Sequence, residues 1–186
     1  MTTTRRLVAA SLILLLAPFA AFAGDDTDAS VRAEKLIAQQ LAVQRAALAP
    51  TAPKLAADAV LTDIARARSQ EMADGAPFSH QNAQGQYPAY IMVRERLAPF
   101  HGAIGENIVT ESNSFGIDAD AFAKNAVDGW LGSPEHRANI LSPLFNKAGI
   151  GVVIKDNTAY ATEVFAGPLI TVTESADHLR RWDSLH

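Results

Sequence analysis

The sequence contains no cysteine among its 186 residues. This absence excludes disulfide bonds, a lipid-modified cysteine after a leader, and a thiolate acting as nucleophile or zinc ligand. Phosphate-binding glycine motifs of the GxGxxG and GxxxxGK[ST] types are also missing, so nothing in the sequence supports nucleotide use. A folded domain of this chain must therefore be stabilised by packing alone, and any chemistry must come from other residue types.

Long apolar runs are confined to the beginning of the chain. Arg5 and Arg6 precede an apolar stretch from Leu7 to Phe22, and Ala21-Phe22-Ala23 has the pattern of a cleavage site. This layout is typical of a secretory signal, whereas the break at Pro18 and the short apolar run disfavour a membrane anchor. We expect cleavage at the end of that site, export to a periplasmic or secreted location, and no membrane span in the mature chain.

Basic residues are outnumbered, with 16 Lys and Arg against 20 Asp and Glu. Removing a leader of 23 residues takes away two arginines, so 14 basic and 20 acidic side chains give a mature net charge of −6. This balance argues against a nucleic acid or an anionic membrane as partner. The remaining 163 residues are enough for one domain with a substantial core.

Apolar spacings of three and four predict five helices. We expect them from a cap at Asp28 or Ser30 to about Leu48, from Pro53 to about Ala73, from Pro88 through Leu97, after a cap at Asp118, and from Pro134 after a cap at Ser133.

Period-two patterns on both sides of Asp156-Asn157 then predict a β-hairpin, and Leu169 to Thr173 could add a strand. Helices followed by a hairpin predict an α+β fold with an antiparallel sheet.

Three short polar stretches lie beside apolar residues, at Phe78-Ser79-His80, Gly105-Glu106-Asn107 and Ser133 to Leu141. In this order, and followed by the stretch AGIGVVI at 148–154, they resemble the bacterial branch of the CAP superfamily. That group includes cysteine-rich secretory proteins, antigen 5 and plant pathogenesis-related proteins, and its domain is also called SCP-like. The resemblance covers about residues 36–167, leaving a signal peptide at 1–23, an N-terminal segment at 24–35 and a tail at 168–186.

The resemblance implies a three-layer α-β-α sandwich with a cavity lined by two histidines and two glutamates. His80, Glu106 and His136 match three of these residues, and Ser133 stands at the position of the second glutamate. Asn107, Arg137 and Asn139 are candidate supporting residues. Another departure is Ala42, where many relatives carry asparagine three residues before an arginine that matches Arg45.

The chemistry of these residues leaves three interpretations open. His80, Glu106 and His136 could hold a divalent metal such as Zn²⁺, with a bound water as nucleophile. Alternatively, Ser79 or Ser133 could act as the nucleophile of a hydrolase, although no GxSxG motif supports this. In the third interpretation the same side chains only cap helices and satisfy buried partners.

With Ser133 in place of the second glutamate, only three of the four cavity residues implied by the resemblance are present. This favours a non-catalytic binding module over an enzyme. The resemblance implies a small apolar ligand, such as a lipid or sterol, or a protein partner outside the cytoplasm. A metal-assisted or serine hydrolase of the peptidase type, using the same His/Glu-lined cavity, is the alternative, and a purely structural envelope protein is the third hypothesis.

Overall fold

The computed structural model describes residues 22–98 and 100–168. Its helices are α1 (Phe22–Leu48), α2 (Ala59–Ala73), α3 (Pro88–Arg96), α4 (Ala119–Gly132) and α5 (Pro134–Leu141), and its strands are β1 (Ala56–Ala57), β2 (Ile104–Ser112), β3 (Lys147–Lys155) and β4 (Thr158–Ala166). No helix in these ranges is long and apolar enough to cross a membrane. The signal sequence up to residue 21 and the strand predicted at Leu169–Thr173 lie outside the described residues.

The strands form one sheet in the order β1-β3-β4-β2. β4 pairs antiparallel with β2 and with β3, whereas the short β1 runs parallel to β3, so the sheet is mixed. One buried cluster joins α1, α4 and α5 to one face of the sheet, and a second joins α2 and α3 to the other face. The predicted α+β sandwich with helices on both faces is confirmed.

Two glycines of the AGIGVVI stretch let α2 lie directly on the backbone of β3. A Cβ atom on Gly149 would come within 2.1 Å of the Thr62 nitrogen, and one on Gly151 within 2.1 Å of the Arg66 nitrogen. Ile150 and Val152, which alternate with them, pack into the cluster on the opposite face. The sequence alternation therefore sets a close helix contact on one side and an apolar core on the other.

The starts predicted for the first two helices are wrong. α1 begins at Phe22, so Asp28 and Ser30 lie within it rather than at its cap. α2 begins at Ala59, because the Asp58 carboxylate accepts hydrogen bonds from the Val60 and Leu61 nitrogens and forms the N-cap. The residues from Pro53 to Asp58 form an extended connection that contains β1 instead of a first helical turn.

The later elements agree better with the prediction. α3 begins at Pro88, and the Asp118 carboxylate caps α4 by accepting from the Ala121 nitrogen. The hairpin between β3 and β4 turns at Asp156 and Asn157, whose φ angles of 51° and 62° suit a two-residue type I′ turn. β2 was not predicted, although it contains Gly105-Glu106-Asn107.

Side chains of α1 satisfy the outer edge of β3 beyond the two residues covered by β1. The Glu34 carboxylate accepts from the Val152 nitrogen at 3.0 Å, and the Ser30 hydroxyl accepts from the Ile154 nitrogen at 3.2 Å. Exposed strand edges bind other chains readily, so these bonds protect the edge. They also fix the distance between α1 and the sheet.

Candidate functional site

Gly105-Glu106-Asn107 lies on β2, the last strand in the described sheet. Successive side chains of a strand point to opposite faces, so Glu106 and Asn107 reach different helical layers. Glu106 meets α2 and the loop that follows it, whereas Asn107 meets α5. A Cβ atom on Gly105 would come within 2.8 Å of the Phe145 ring, so a larger residue here would displace that buried ring.

Glu106 is buried and has a basic partner at each carboxylate oxygen. Arg68 Nε donates to Oε1 at 3.1 Å, and His80 Nδ1 lies 2.8 Å from Oε2. Arg68 is itself only 2% exposed, and its Nη2 donates to the Ser79 carbonyl at 3.0 Å. The arginine therefore holds both the carboxylate and the loop that carries His80.

Sequence reasoning missed the role of Arg68. Arg68 stands four residues from both Ile64 and Met72, so it lies on the apolar stripe of the second predicted helix, where the pattern indicates a packing residue. A lone charged side chain on such a stripe is buried only when it is paired, and this was the available signal.

His136 lies in the first turn of α5, which two amides attach to β2. Asn107 Nδ2 donates to the His136 carbonyl at 3.2 Å, and Asn139 Nδ2 donates to Asn107 Oδ1 at 2.9 Å and to the Glu106 carbonyl at 3.2 Å. Asn107 is completely buried. Arg137, also a candidate supporting residue, lies half-buried on the same helix.

The two imidazole rings lie close together in an edge-to-face arrangement. The centroids of the His80 and His136 rings are 6.2 Å apart, with an angle of 63° between the ring planes. Burial lowers the pKa of His136 below 6.5, the neighbouring His80 lowers it further, and Glu135 raises it in part. His136 is therefore a neutral imidazole at neutral pH, the form that can act as a base or a metal ligand.

Within residues 22–98 and 100–168, no three His, Asp or Glu side chains converge in a geometry that could hold a metal ion. His80, Glu106 and His136 lie near one another, but each Glu106 oxygen already has a basic partner. The Glu106 carboxylate is therefore already engaged and is not free to join the two imidazoles as a third ligand.

Neither candidate serine shows the arrangement of an activated nucleophile. Ser133 Oγ donates to Glu135 Oε2 at 3.0 Å, and it makes no side-chain cap bond although Ser133 is the N-cap of α5. Ser79 Oγ accepts from the Gln81 nitrogen at 3.1 Å. Ser133 is the N-cap of α5 as predicted, but its hydroxyl makes no cap bond because the neighbouring Glu135 carboxylate accepts its hydrogen bond instead.

A separate cavity of about 720 Å³ lies on the α1 face of the sheet. Its walls are the second half of α1, the connection that contains β1, and the beginning of β3; they include Ala38, Leu41, Ala42, Leu55, Ile150 and Glu163. We call it the α1 cavity. His80, Glu106 and His136 are not among its lining residues, so the apolar space is not the cavity expected from sequence.

Glu163 is the most deeply buried of the polar residues that line the α1 cavity. It is 1% exposed, and its Oε2 has no hydrogen-bond partner among the described residues. Burial raises the pKa of Glu163 to about 8, although the charge of Arg45 opposes this. The side chain is therefore a neutral carboxylic acid at neutral pH.

The comparisons with known proteins agree with this architecture. Residues 48–167 match the family described as CAP, the cysteine-rich secretory protein family. The protein YkwD of Bacillus subtilis is 31% identical over 110 residues, which are 59% of this chain and 38% of that protein. The chain therefore spans well under half the length of this relative.

Two solved structures have similar folds. An extracellular protein containing an SCP domain from Bacillus anthracis is 25% identical, with a TM-score of 0.58 over 77% of this chain and 43% of that one. An outer surface protein from Borrelia burgdorferi is 18% identical, with a TM-score of 0.59 over 73% of this chain and 92% of that one. With the matched family covering more than half of its residues, this chain belongs to the cysteine-rich secretory protein (CAP) family.

Proposed function

We propose that the chain is an exported, non-catalytic binding module that takes a small apolar molecule into the α1 cavity. The observation that carries this proposal is the cavity itself, whose volume lies within the range of about 300–1,000 Å³ common for small-molecule sites. Export is supported by the signal pattern of residues 1–23 and by the similarity to an extracellular SCP-domain protein.

The shape of the cavity follows from the small side chains of α1. Ala38, Ala42, Ala46 and Ala49 recur at spacings of three and four and line one wall. Larger residues at these positions would fill the space between the helix and the β1 connection. Ala42, where the family resemblance leads one to expect asparagine, leaves this part of the wall apolar.

Binding without catalysis is favoured by the state of the polar cluster. Both oxygens of Glu106 have basic partners, and the Ser133 hydroxyl is bonded to Glu135. A general base needs a free lone pair within reach of the proton that it removes. Glu106 is only 5% exposed and each of its oxygens is already engaged by Arg68 or His80, so this carboxylate is poorly placed to reach a substrate proton.

The experiment compares the purified mature protein with two tryptophan variants. Both positions are exposed residues of α1, but Ala42→Trp places an indole in the cavity wall, whereas Ala47 does not line the cavity. We expect mass spectrometry of a solvent extract to find a stoichiometric apolar molecule in the wild type and in Ala47→Trp but not in Ala42→Trp. If the extracts are empty and added lipids leave the melting temperature of the wild type unchanged, the proposal fails.

A second candidate function is divalent metal binding by His80 and His136, with a metal-assisted hydrolase as its catalytic form. The specific observation is the close edge-to-face pair of imidazole rings, with His136 kept neutral by burial. A bound Zn²⁺ would supply Lewis acidity and a nucleophilic water. Zn²⁺ titration calorimetry should show heat that disappears in His136→Ala and persists in His101→Ala, a loop histidine that is exposed. No heat with the wild type would exclude this candidate.

A further inference from the structure

We propose that Glu163 recognises the ligand of the α1 cavity by donating a hydrogen bond from its protonated carboxyl group to a neutral acceptor oxygen. The expected ligand class is a molecule with an apolar body and a carbonyl or ester oxygen at the end that enters first. This inference rests on the proposed function, because it concerns the same cavity.

The first support is the burial of a polar atom that has no partner. Glu163 lines the cavity, is 1% exposed, and leaves Oε2 without a hydrogen bond among the described residues. Buried polar side-chain atoms are nearly always paired, and an unpaired one needs an explanation. A ligand oxygen inside the cavity would provide the missing partner.

The second support is that Arg45, whose positive charge acts on Glu163, donates its hydrogen bonds to other groups. Its guanidinium donates to the main-chain carbonyls of Pro53, Ile140, Ser142 and Phe145. These bonds join α1 to the β1 connection and to the end of α5, so Arg45 acts as a structural crosslink. It raises the positive potential near Glu163 but does not donate to it.

The other groups around Glu163 do not replace a ligand. Glu34 on the cavity wall is engaged by Arg66 and by the Val152 nitrogen. Lys35 and Lys54 line the cavity at exposed positions. The neighbouring strands place Asn107 and Ile150 opposite Glu163 in register, and α2 contributes Thr62 to the cavity wall.

These surroundings favour a neutral acceptor. A carboxylic acid that burial keeps protonated has one O–H to donate, and burial raises the pKa of Glu163 to about 8. A ketone or ester oxygen accepts this bond without bringing a second charge into an apolar space. A pure hydrocarbon would fill the cavity equally well but would leave the carboxyl group of Glu163 without a hydrogen-bond partner.

The test uses 2-decanone and decane as matched probes, titrated by calorimetry into the mature protein. Near pH 6.5 we expect the ketone to bind on the order of tenfold more tightly than the alkane, as one buried hydrogen bond allows. Near pH 9 the carboxyl group is ionised and cannot donate, so this preference should disappear. Glu163→Gln keeps an N–H donor at both pH values, and its preference for the ketone should not change with pH.

The outcomes separate this inference from the function on which it rests. If both probes bind the wild type and Ala47→Trp but not Ala42→Trp, and the ketone is not preferred near pH 6.5, the role of Glu163 is refuted while the cavity stands. A preference that persists near pH 9 in the wild type also refutes it. If neither probe binds, or if Ala42→Trp binds both as well as the wild type, the α1 cavity and the inference fail together.

Discussion

Replacing Glu163 with glutamine should stabilise the protein, and the gain should grow with pH. The pKa of this carboxyl group is raised from 4.5 to about 8 in the folded chain. A group whose folded pKa is raised contributes its full stability below the unfolded value and loses it as the pH rises toward the folded value. Glutamine has a similar shape and never ionises, so it removes this loss.

The pKa interval gives the size of the effect. At about 1.4 kcal/mol per pH unit, the interval between 4.5 and about 8 corresponds to a complete loss of about 5 kcal/mol above pH 8. Roughly 3 kcal/mol of this is already lost near pH 6.5, and about 2 kcal/mol more is lost between there and pH 9. For a domain of this size, about 2 kcal/mol corresponds to roughly 4–8 °C in Tm.

The assay is thermal and urea unfolding of the wild type and Glu163→Gln near pH 6.5 and near pH 9. Protonation of His136 changes the stability of the wild type and of Glu163→Gln by the same amount, so it cancels in the difference between them. We expect the difference in unfolding free energy between the two proteins to increase by about 2 kcal/mol across the window. Equal pH dependence of the two proteins would show that Glu163 is not a buried neutral acid.

Three further predictions concern packing, the buried ion pair and the histidines. Gly151→Ala should destabilise the fold by about 1–3 kcal/mol or prevent folding, because its Cβ meets the α2 backbone. Gly129→Ala, in open space on α4, should instead stabilise the fold by roughly 0.5–1 kcal/mol. Urea unfolding distinguishes the two variants, and equal effects would refute the close contact between α2 and β3. Arg68→Met should lower the free energy of unfolding by about 3–5 kcal/mol in the same assay, because Glu106 stays buried without its ion-pair partner. Arg32→Met, in an exposed ion pair, should lower it by under about 1 kcal/mol. Similar losses for the two variants would contradict this prediction. His80→Ala should raise the pKa of His136 toward 6.5 in an NMR titration, because the neighbouring imidazole helps to lower that pKa. An unchanged pKa would show that burial alone lowers it.

The sequence predicted best those elements whose signals are local. The Asp156-Asn157 turn, the cap at Asp118 and the proline at the start of α3 each depend on the backbone chemistry of a few residues, and each is confirmed. The start of α2 was misplaced because Pro53 suits a first helical turn, while the stronger cap at Asp58 was overlooked. The N-cap position at Ser133 is also confirmed, although its hydroxyl bonds to Glu135 and not to the helix backbone.

Features that depend on long-range contacts were harder to predict. β2 alternates Ile104, Glu106 and Ile108 on the α2 face, but its central glutamate is buried only because Arg68 and His80 reach it from other elements. Glu163 belongs to β4, whose two faces are both covered by helices, so alternation could not show which polar residue enters a cavity. The family resemblance named the histidines and Glu106, yet it gave no indication of an apolar space on the α1 face.

The register of β2 against β4 joins two otherwise separate parts of the molecule. Asn107 and Glu163 are direct partners across these antiparallel strands, so their side chains lie next to each other on the same face of the sheet. Asn107 supports the start of α5 beside His136, and Glu163 forms part of the α1 cavity. The α1 cavity and the histidine pair are therefore both supported by the contact between Asn107 and Glu163. A bulkier residue at either of these two positions would disturb both sites.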